Sequence, residues 1–330
     1  MASDYQSCIR KSSFLHVHSA PNPICQVRLS MPKHLSQYSV DDWLRLRPIL
    51  HTLKSRRYER VNRRYIRQES PSPDVDRVRA LIRNNRALVT VAFNDPALIE
   101  RQVLAIREFI PGPLHVIADN SDDDAGAKKI EAVCTRLAVP YVRLPPSPWG
   151  PRSHGRSLGS AHNWIWHRLI RIGRPEAFGF VDHDLIPVAS DDPFALLENG
   201  DLHGDKRWID DRWFLWAGYC FFRTAFLEGK RVDFGQDWFL GLDTGGGNWS
   251  SIYMHLSPSM LPERPIERVA IVPGVSASDC YIERRGAWLH EVGSDNRPDL
   301  KTVKRERFFK LVDNALRSQT KEPAYSDGTN

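Results

Sequence analysis

An α/β fold built on a mainly parallel sheet with helices on both faces is what this sequence predicts, on three observations. Strand-length runs that are apolar at consecutive positions, such as Leu88–Phe93, suit strands covered on both faces. Those runs alternate with segments of helical period, the pattern of a parallel sheet with crossover helices. Three of the runs end in polar clusters, at Asn94, at Asp119 to Asp124 and at Asp182 to Asp184. In such sheets, ligands sit beyond the carboxyl ends of the strands.

Residues 1 to about 35 mix Ser, Pro, His and Cys without a period and are expected to be flexible. From Ser39, a plausible cap, a helix is expected to run to Gln68, carrying Trp43, Leu44, Leu46, Ile49, Leu50 and Leu53. Glu69-Ser70-Pro71-Ser72-Pro73 reads as a linker. The expected organisation is an N-terminal extension over 1–80, a catalytic domain over 81–300, and a helix and tail over 301–330. Within the domain, Leu88–Phe93 forms the first strand, and Asn94-Asp95-Pro96 caps a helix with Leu98, Ile99, Val103, Ile106 and Ile110 on one stripe. Pro111-Gly112-Pro113 stops it. Leu114–Ala118 is the second strand, followed by a helix to about Ala138 burying Ile130, Val133, Cys134 and Leu137. Tyr141–Leu144 is the third strand. A helix from about Ser157 to Ile172 ends at Gly173, and Phe178–Val181 is the fourth strand. From about Asp299 to Ser318, Val303, Phe308, Leu311, Val312 and Leu316 mark an amphipathic helix, suited to packing on the domain or to pairing in a homo-oligomer.

Composition narrows the function. With 330 residues, 41% hydrophobic and 26% charged, the chain is an ordinary globular one with a sizeable core. Its longest uncharged apolar run, Trp213–Phe222, is too short to span a bilayer. No signal peptide is evident, and the five scattered cysteines suggest neither a disulfide framework nor a zinc cluster, so a reduced, cytoplasmic setting is expected. Between Arg45 and Arg67 nine Lys or Arg residues face one acid, Glu59, a surplus larger than the net charge of +6. A block of this kind suits nucleic acid or an anionic membrane surface, including peripheral attachment at the inner face of a membrane, or is simply a solvated helical face. No nucleic-acid module accompanies it, so nucleic acid is disfavoured. There is no Gly-x-Gly-x-x-Gly turn and no Gly-Lys-Ser/Thr loop, which disfavours dinucleotide and P-loop chemistry.

The sharpest chemical signal is Phe178-Gly179-Phe180-Val181-Asp182-His183-Asp184. On a strand, residues two apart share a face, so Asp182 and Asp184 are expected to converge on one cation at the strand end. A hard ion such as Mg²⁺ or Mn²⁺ is held by one or two carboxylates with substrate phosphates completing its shell. The plain alternative is a turn whose Asp side chains bond nearby backbone N–H groups.

With these motifs in order, residues 86 to about 297 resemble a GT-A glycosyltransferase, and most closely the large, mostly inverting family that includes cellulose and chitin synthases. The resemblance implies a GT-A fold, a nucleotide-diphospho-sugar donor, a glycan, lipid-linked or small-molecule acceptor, and a bound Mn²⁺ or Mg²⁺. It assigns Phe93, Asn94, Asp119 and Asp122 to the nucleoside, and Gly155 and Arg156, in the motif from His154 to Asn163, to the donor. Asp182 contacts the metal or the ribose, Asp184 ligates the metal, and His290, in Trp288-Leu289-His290-Glu291, is a further ligand. Arg156 and Arg297 are suited to the diphosphate. The Gln-x-x-Arg-Trp signature of processive synthases is absent, which implies single-sugar transfer. The family's Glu-Asp base motif is also absent, Gln236-Asp237 standing nearest to it, so the catalytic base is open between Asp237 and Asp243, with the glycine run after Asp243 favouring the latter. Of the aromatics between Trp208 and Trp249, most are expected in the core and one or two against a sugar ring. Two rival functions follow from the same residues: a nucleotidyltransferase of related topology, and a nucleic-acid-binding protein using the basic block.

Overall fold

The computed structural model describes residues 38–149, 153–238, 240–292 and 298–319. The expected flexible N-terminal segment, Arg297 and the end of the C-terminal tail lie outside these residues. Strands β1 (Arg86–Ala92), β2 (Leu114–Asp119), β3 (Tyr141–Arg143), β4 (Ala177–Asp182), β6 (Leu202–Ile209) and β7 (Arg212–Arg223) form a six-stranded sheet in the order β3-β2-β1-β4-β7-β6. The first four are parallel, and β7 and β6 complete the sheet antiparallel. The expected α/β class with a mainly parallel central sheet is therefore present. Four more strands form a second sheet, in the order β5-β10-β9-β8: β5 (Leu185–Pro187), β8 (Glu267–Ala270), β9 (Tyr281–Arg285) and β10 (Trp288–His290).

Helices cover both faces of the large sheet. Helix α1 (Val40–Leu44) precedes α2 (Arg47–Ile66) and α3 (Val75–Ile82). On one side Val78 and Ile82 of α3 pack with Trp164 and Ile165 of α6 (His154–Ile165) against Ala87, Val89 and Val91. On the other side α4 (Pro96–Phe109) buries Ile99 and Val103, and α5 (Asp124–Arg136) buries Ile130 and Val133, over Ala92 and Ile117. Each such side chain contributes roughly 1.5–3 kcal/mol through lost contact with water. Helix α7 (Lys301–Gln319) buries Phe308 and Val312 and is tied to α4 by an Arg101–Asp313 ion pair of 2.9 Å. Among the described residues, no helix is long and apolar enough to cross a membrane.

Local chemistry explains the element ends. Asp95 accepts from Leu98 N with Pro96 behind it, and Asp123 accepts from Ala125 N and Gly126 N, so the turns after β1 and β2 start helices as their sequences predict. The third helix starts earlier than expected, at His154, and continues through a π-helical turn, Trp166–Ile170, to Arg171–Gly173. The expected single helix over 39–68 is broken: Ser39 and Asp42 form a capping box for α1, and Leu46 takes a left-handed conformation (φ 56°) before Pro48 opens α2. The side of α2 turned to the domain carries His51, Tyr58, Asn62 and Tyr65 rather than its leucines. Tyr58 stacks on Trp149, and Tyr65 Oη donates to Pro145 O at 3.2 Å, so the last turns of this extension belong to the packing of the sheet domain.

Candidate metal and donor site

Register sets the site. Val91 lies opposite Asp182 across β1 and β4, and Ala92 opposite Asp119 across β1 and β2. Parallel neighbours stand about 4.8 Å apart. The ends of three strands, with Phe93 and Asn94 just beyond, thus form one polar edge.

The expectation that strand alternation aligns Asp182 and Asp184 needs correction. β4 ends at Asp182, and Asp184 lies in the tight turn that passes the chain to β5 in the second sheet. The turn brings the carboxylates together, and buried Gln102 of α4 clamps it, donating from Nε2 to Asp182 O (2.6 Å) and Leu185 O (2.9 Å). Glu291 N donates to Asp184 O at 3.0 Å, tying β10 to the same turn.

One ligand atom each from Asp182, Asp184 and His290 lies within 4.8 Å of the other two. Two carboxylates and an imidazole suit a borderline-hard divalent ion such as Mn²⁺. His290 Nε2 is 3.4 Å from Asp184 Oδ1, and its Nδ1 is 3.2 Å from Glu283 Oε2. A carboxylate behind a histidine is the arrangement that orients metal-binding imidazoles. Glu283 is itself held by buried Arg285, which also pairs with Asp205. Burial opposes charge on Asp184, but His290 outweighs it and holds the carboxyl below its ordinary range. Burial and the neighbouring Asp184 push Asp182 up. Burial lowers the His290 pKa, yet Asp184 and Glu283 reverse this and raise it to about 9. Burial likewise opposes charge on Glu283, which His290 and Arg285 bring down to about 2. Two carboxylates and an imidazole gathered this closely give a donor set and geometry that fit the metal that the resemblance implies.

The residues expected at the nucleoside are interlocked. Asn94, with φ 51°, donates from Nδ2 to Asp122 Oδ1 (2.5 Å), and its N–H donates to Ser121 Oγ (2.8 Å). Both residues are exposed at the polar edge. Asp119 is different: it has no accessible surface, and its carboxylate is taken by Ser121, by Tyr141 Oη (2.8 Å) and by Arg143 (3.3 Å). Phe93 is half-buried, its ring edge-on to His154 at 6.2 Å.

Gly155 lies in the first turn of α6, where a Cβ would meet Gln236 Nε2 at 2.7 Å, so a larger residue would displace the Gln236 amide. Gln236 Nε2 donates to Asp243 Oδ1 (3.0 Å), which also accepts from Thr244 N (2.7 Å). Among the described residues no donor is assigned to Asp243 Oδ2, and the residue is exposed. Asp237 caps its own turn, accepting from Leu240 N at 3.1 Å, and bridges Leu242 through the backbone. Buried Asn163 of α6 braces the start of the loop, donating to Asp233 Oδ1 (2.7 Å) and accepting from Phe234 N (2.8 Å). Arg156 is held against aromatic rings, 3.7 Å from the Trp238 ring centre and 5.3 Å from that of Trp149.

The sequence reading missed Gln102, Glu283, Arg285 and Arg207. The Arg207 and Arg285 guanidiniums lie 5.1 and 4.8 Å from the Trp216 ring centre, and that ring lies 4.9 Å from His290. Burial and Arg285 lower the pKa of Arg207, against which Glu283, Asp205 and Asp243 act. The strand Tyr281-Ile282-Glu283-Arg284-Arg285 did carry a signal: two charged residues on one face of a short strand, leading to His290.

No protein-family model matches this chain, and no curated protein does. Among solved structures it is similar to the mannosyltransferase PcManGT from Pyrobaculum calidifontis, in complex with GDP-Man and Mn²⁺, at 15% identity and a TM-score of 0.35, over 81% of this chain and 82% of that one. It is also similar to S. aureus TarS (15% identity, TM-score 0.32, 47% of this chain), of which it spans 32%. A third is glucosyl-3-phosphoglycerate synthase from Mycobacterium tuberculosis (18% identity, TM-score 0.28, 48% of this chain and 64% of that one).

Proposed function

We propose that this protein transfers a single sugar from a nucleotide-diphospho-sugar to an acceptor hydroxyl. The observation that carries the reading is the meeting of Asp182, Asp184 and His290 at the sheet edge where the ends of β1 and β2 also open. Asp182, Asp184 and His290 would hold Mn²⁺ or Mg²⁺, which acts as a Lewis acid toward the charge developing on a departing diphosphate.

The chain's own residues have separable tasks. Asn94 and Asp122 offer an exposed amide and carboxylate for the base and ribose, with Phe93 as the apolar wall beside them. Asp119 supports them from beneath, because Ser121, which it fixes, accepts from Asn94 N. Arg156, Arg207 and Arg285 supply positive charge along the wall formed by Trp149, Trp238 and Trp216. Asp243 is the general base: its Oδ1 is anchored by Gln236 and Thr244, leaving Oδ2 to take the acceptor proton. A base acting from the face opposite the leaving group makes the transfer inverting. Asp237 holds the turn that shapes this loop.

The test is a donor panel supplied with Mn²⁺, following release of nucleoside diphosphate. The reading expects one nucleotide sugar to be turned over, with turnover lost on chelation. Absence of release from every nucleotide sugar, with or without acceptor mixtures, would count against it.

A further inference from the structure

We infer that helices α1 and α2 form a docking face for an anionic lipid surface, independent of the chemistry proposed above. The outward side of α2 is divided along its length. Over α1, the break and the first turns of α2, Trp43, Leu44, Leu46, Ile49, Leu50 and Leu53 stand in water, with Leu44 79%, Leu53 58% and Leu46 56% exposed. Solvent-facing apolar side chains occur singly on most surfaces, and a contiguous group marks an interaction site. Farther along the same side come Arg56, Arg57, Arg60, Arg63, Arg64 and Arg67, all exposed, and no carboxylate partner is assigned to any of them among the described residues. The opposite side of the helix is buried, His51 against Tyr38, and Tyr58 and Tyr65 against Trp149 and Pro145 of the domain. The helix thus shows its polar and aromatic seam to the protein and its leucines to solvent, the reverse of a helix whose only task is to fold.

A bilayer interface matches both halves. Leucine and tryptophan side chains enter the acyl boundary, Trp43 at headgroup level, while arginines meet lipid phosphates. Among the described residues no helix is long and apolar enough to span a membrane, so the element would lie on the surface. Other occupants fit worse. A second copy aligned in parallel would set arginine on arginine, and a full antiparallel pairing would lay arginines on leucines. Nucleic acid would satisfy the arginines and leave the apolar half in water. Lys54 of α2 also sits 5.9 Å from the Trp238 ring centre, so the helix borders the aromatic wall that holds Arg156.

Co-sedimentation of the full chain with phosphatidylcholine vesicles, with and without phosphatidylglycerol, tests this directly. Retention is expected on the anionic vesicles and reduced by salt. The triple variant Arg56→Gln, Arg57→Gln, Arg60→Gln is expected to weaken it about 100-fold, from roughly one decade or less per arginine. Leu44→Asp with Leu50→Asp should abolish it, with unchanged circular dichroism confirming the fold in both variants. Equal retention on neutral vesicles, no retention on anionic ones, or arginine variants that bind as the parent would overturn the inference. So would binding that emerges only after removal of residues 1–37, or a dimer in solution that the double aspartate variant dissociates.

Discussion

Glu283 and His290 face one another across β9 and β10, Oε2 to Nδ1 at 3.2 Å, and this contact turns the other ring nitrogen toward Asp184. Two antiparallel strands, absent from the large sheet, thereby present an imidazole to a turn at the end of β4. Removing the carboxylate charge should loosen that presentation without removing a ligand. Glu283→Gln is expected to weaken Mn²⁺ binding about 10- to 100-fold, the usual consequence of losing such a support. Isothermal titration checks it, and an unchanged affinity would assign Glu283 only to pairing with Arg285.

The same cluster sets a pH dependence. His290 has an ordinary pKa of 6.5, and its folded value is raised to about 9 against the effect of burial. A raised histidine stabilises the metal-free fold fully below pH 6.5 and loses that contribution as pH climbs through about 9. The contribution is on the order of 3 kcal/mol. Metal binding needs the neutral ring, so affinity should rise over the same window, with a proton released on binding. Thermal melts in chelator, and titrations in buffers of differing ionisation enthalpy, measure the two effects.

Gln102 is a structural requirement of the turn. Gln102→Leu leaves the carbonyls of Asp182 and Leu185 without their shared donor. A loss of roughly 2–4 kcal/mol in stability is expected, since one to two buried acceptors go unpaired. Metal affinity should fall with it, because the turn carries Asp184. Chemical denaturation alongside metal titration separates the effects.

Much of this was legible in the sequence because it is local. Apolar runs, the cap in Asn94-Asp95-Pro96, and the Asp182–Asp184 spacing each depend on a few adjacent residues. The role of His290 came from motif order, and the structure brings it to the two aspartates. What stayed hidden is held together at long range: Gln102 reaches Asp182 across 80 residues, and Arg285 reaches Asp205 across the same separation. No periodicity records such meetings. The α1–α2 segment misleads for another reason. Its leucines imply a buried stripe, whereas His51, Tyr58, Asn62 and Tyr65 fill that place.

Asp243 and Asp237 should separate by phenotype. Asp243→Asn is expected to lower turnover by about 100- to 10,000-fold, the range for a lost general base, with donor binding retained. Asp237→Asn should chiefly lower stability, by about 1 kcal/mol through a weakened turn cap. Steady-state kinetics with melting curves for both variants decide the assignment. A reversed pattern would move the base to Asp237.

The central claim is that Asp182, Asp184 and His290 hold a divalent ion for a diphosphate. Electron paramagnetic resonance of Mn²⁺ titrated into the protein tests it most directly. The account predicts a single site, tightened by a nucleoside diphosphate and abolished in Asp184→Asn while the fold persists. Free Mn²⁺ at every protein concentration, or a site that Asp184→Asn leaves intact, would contradict it.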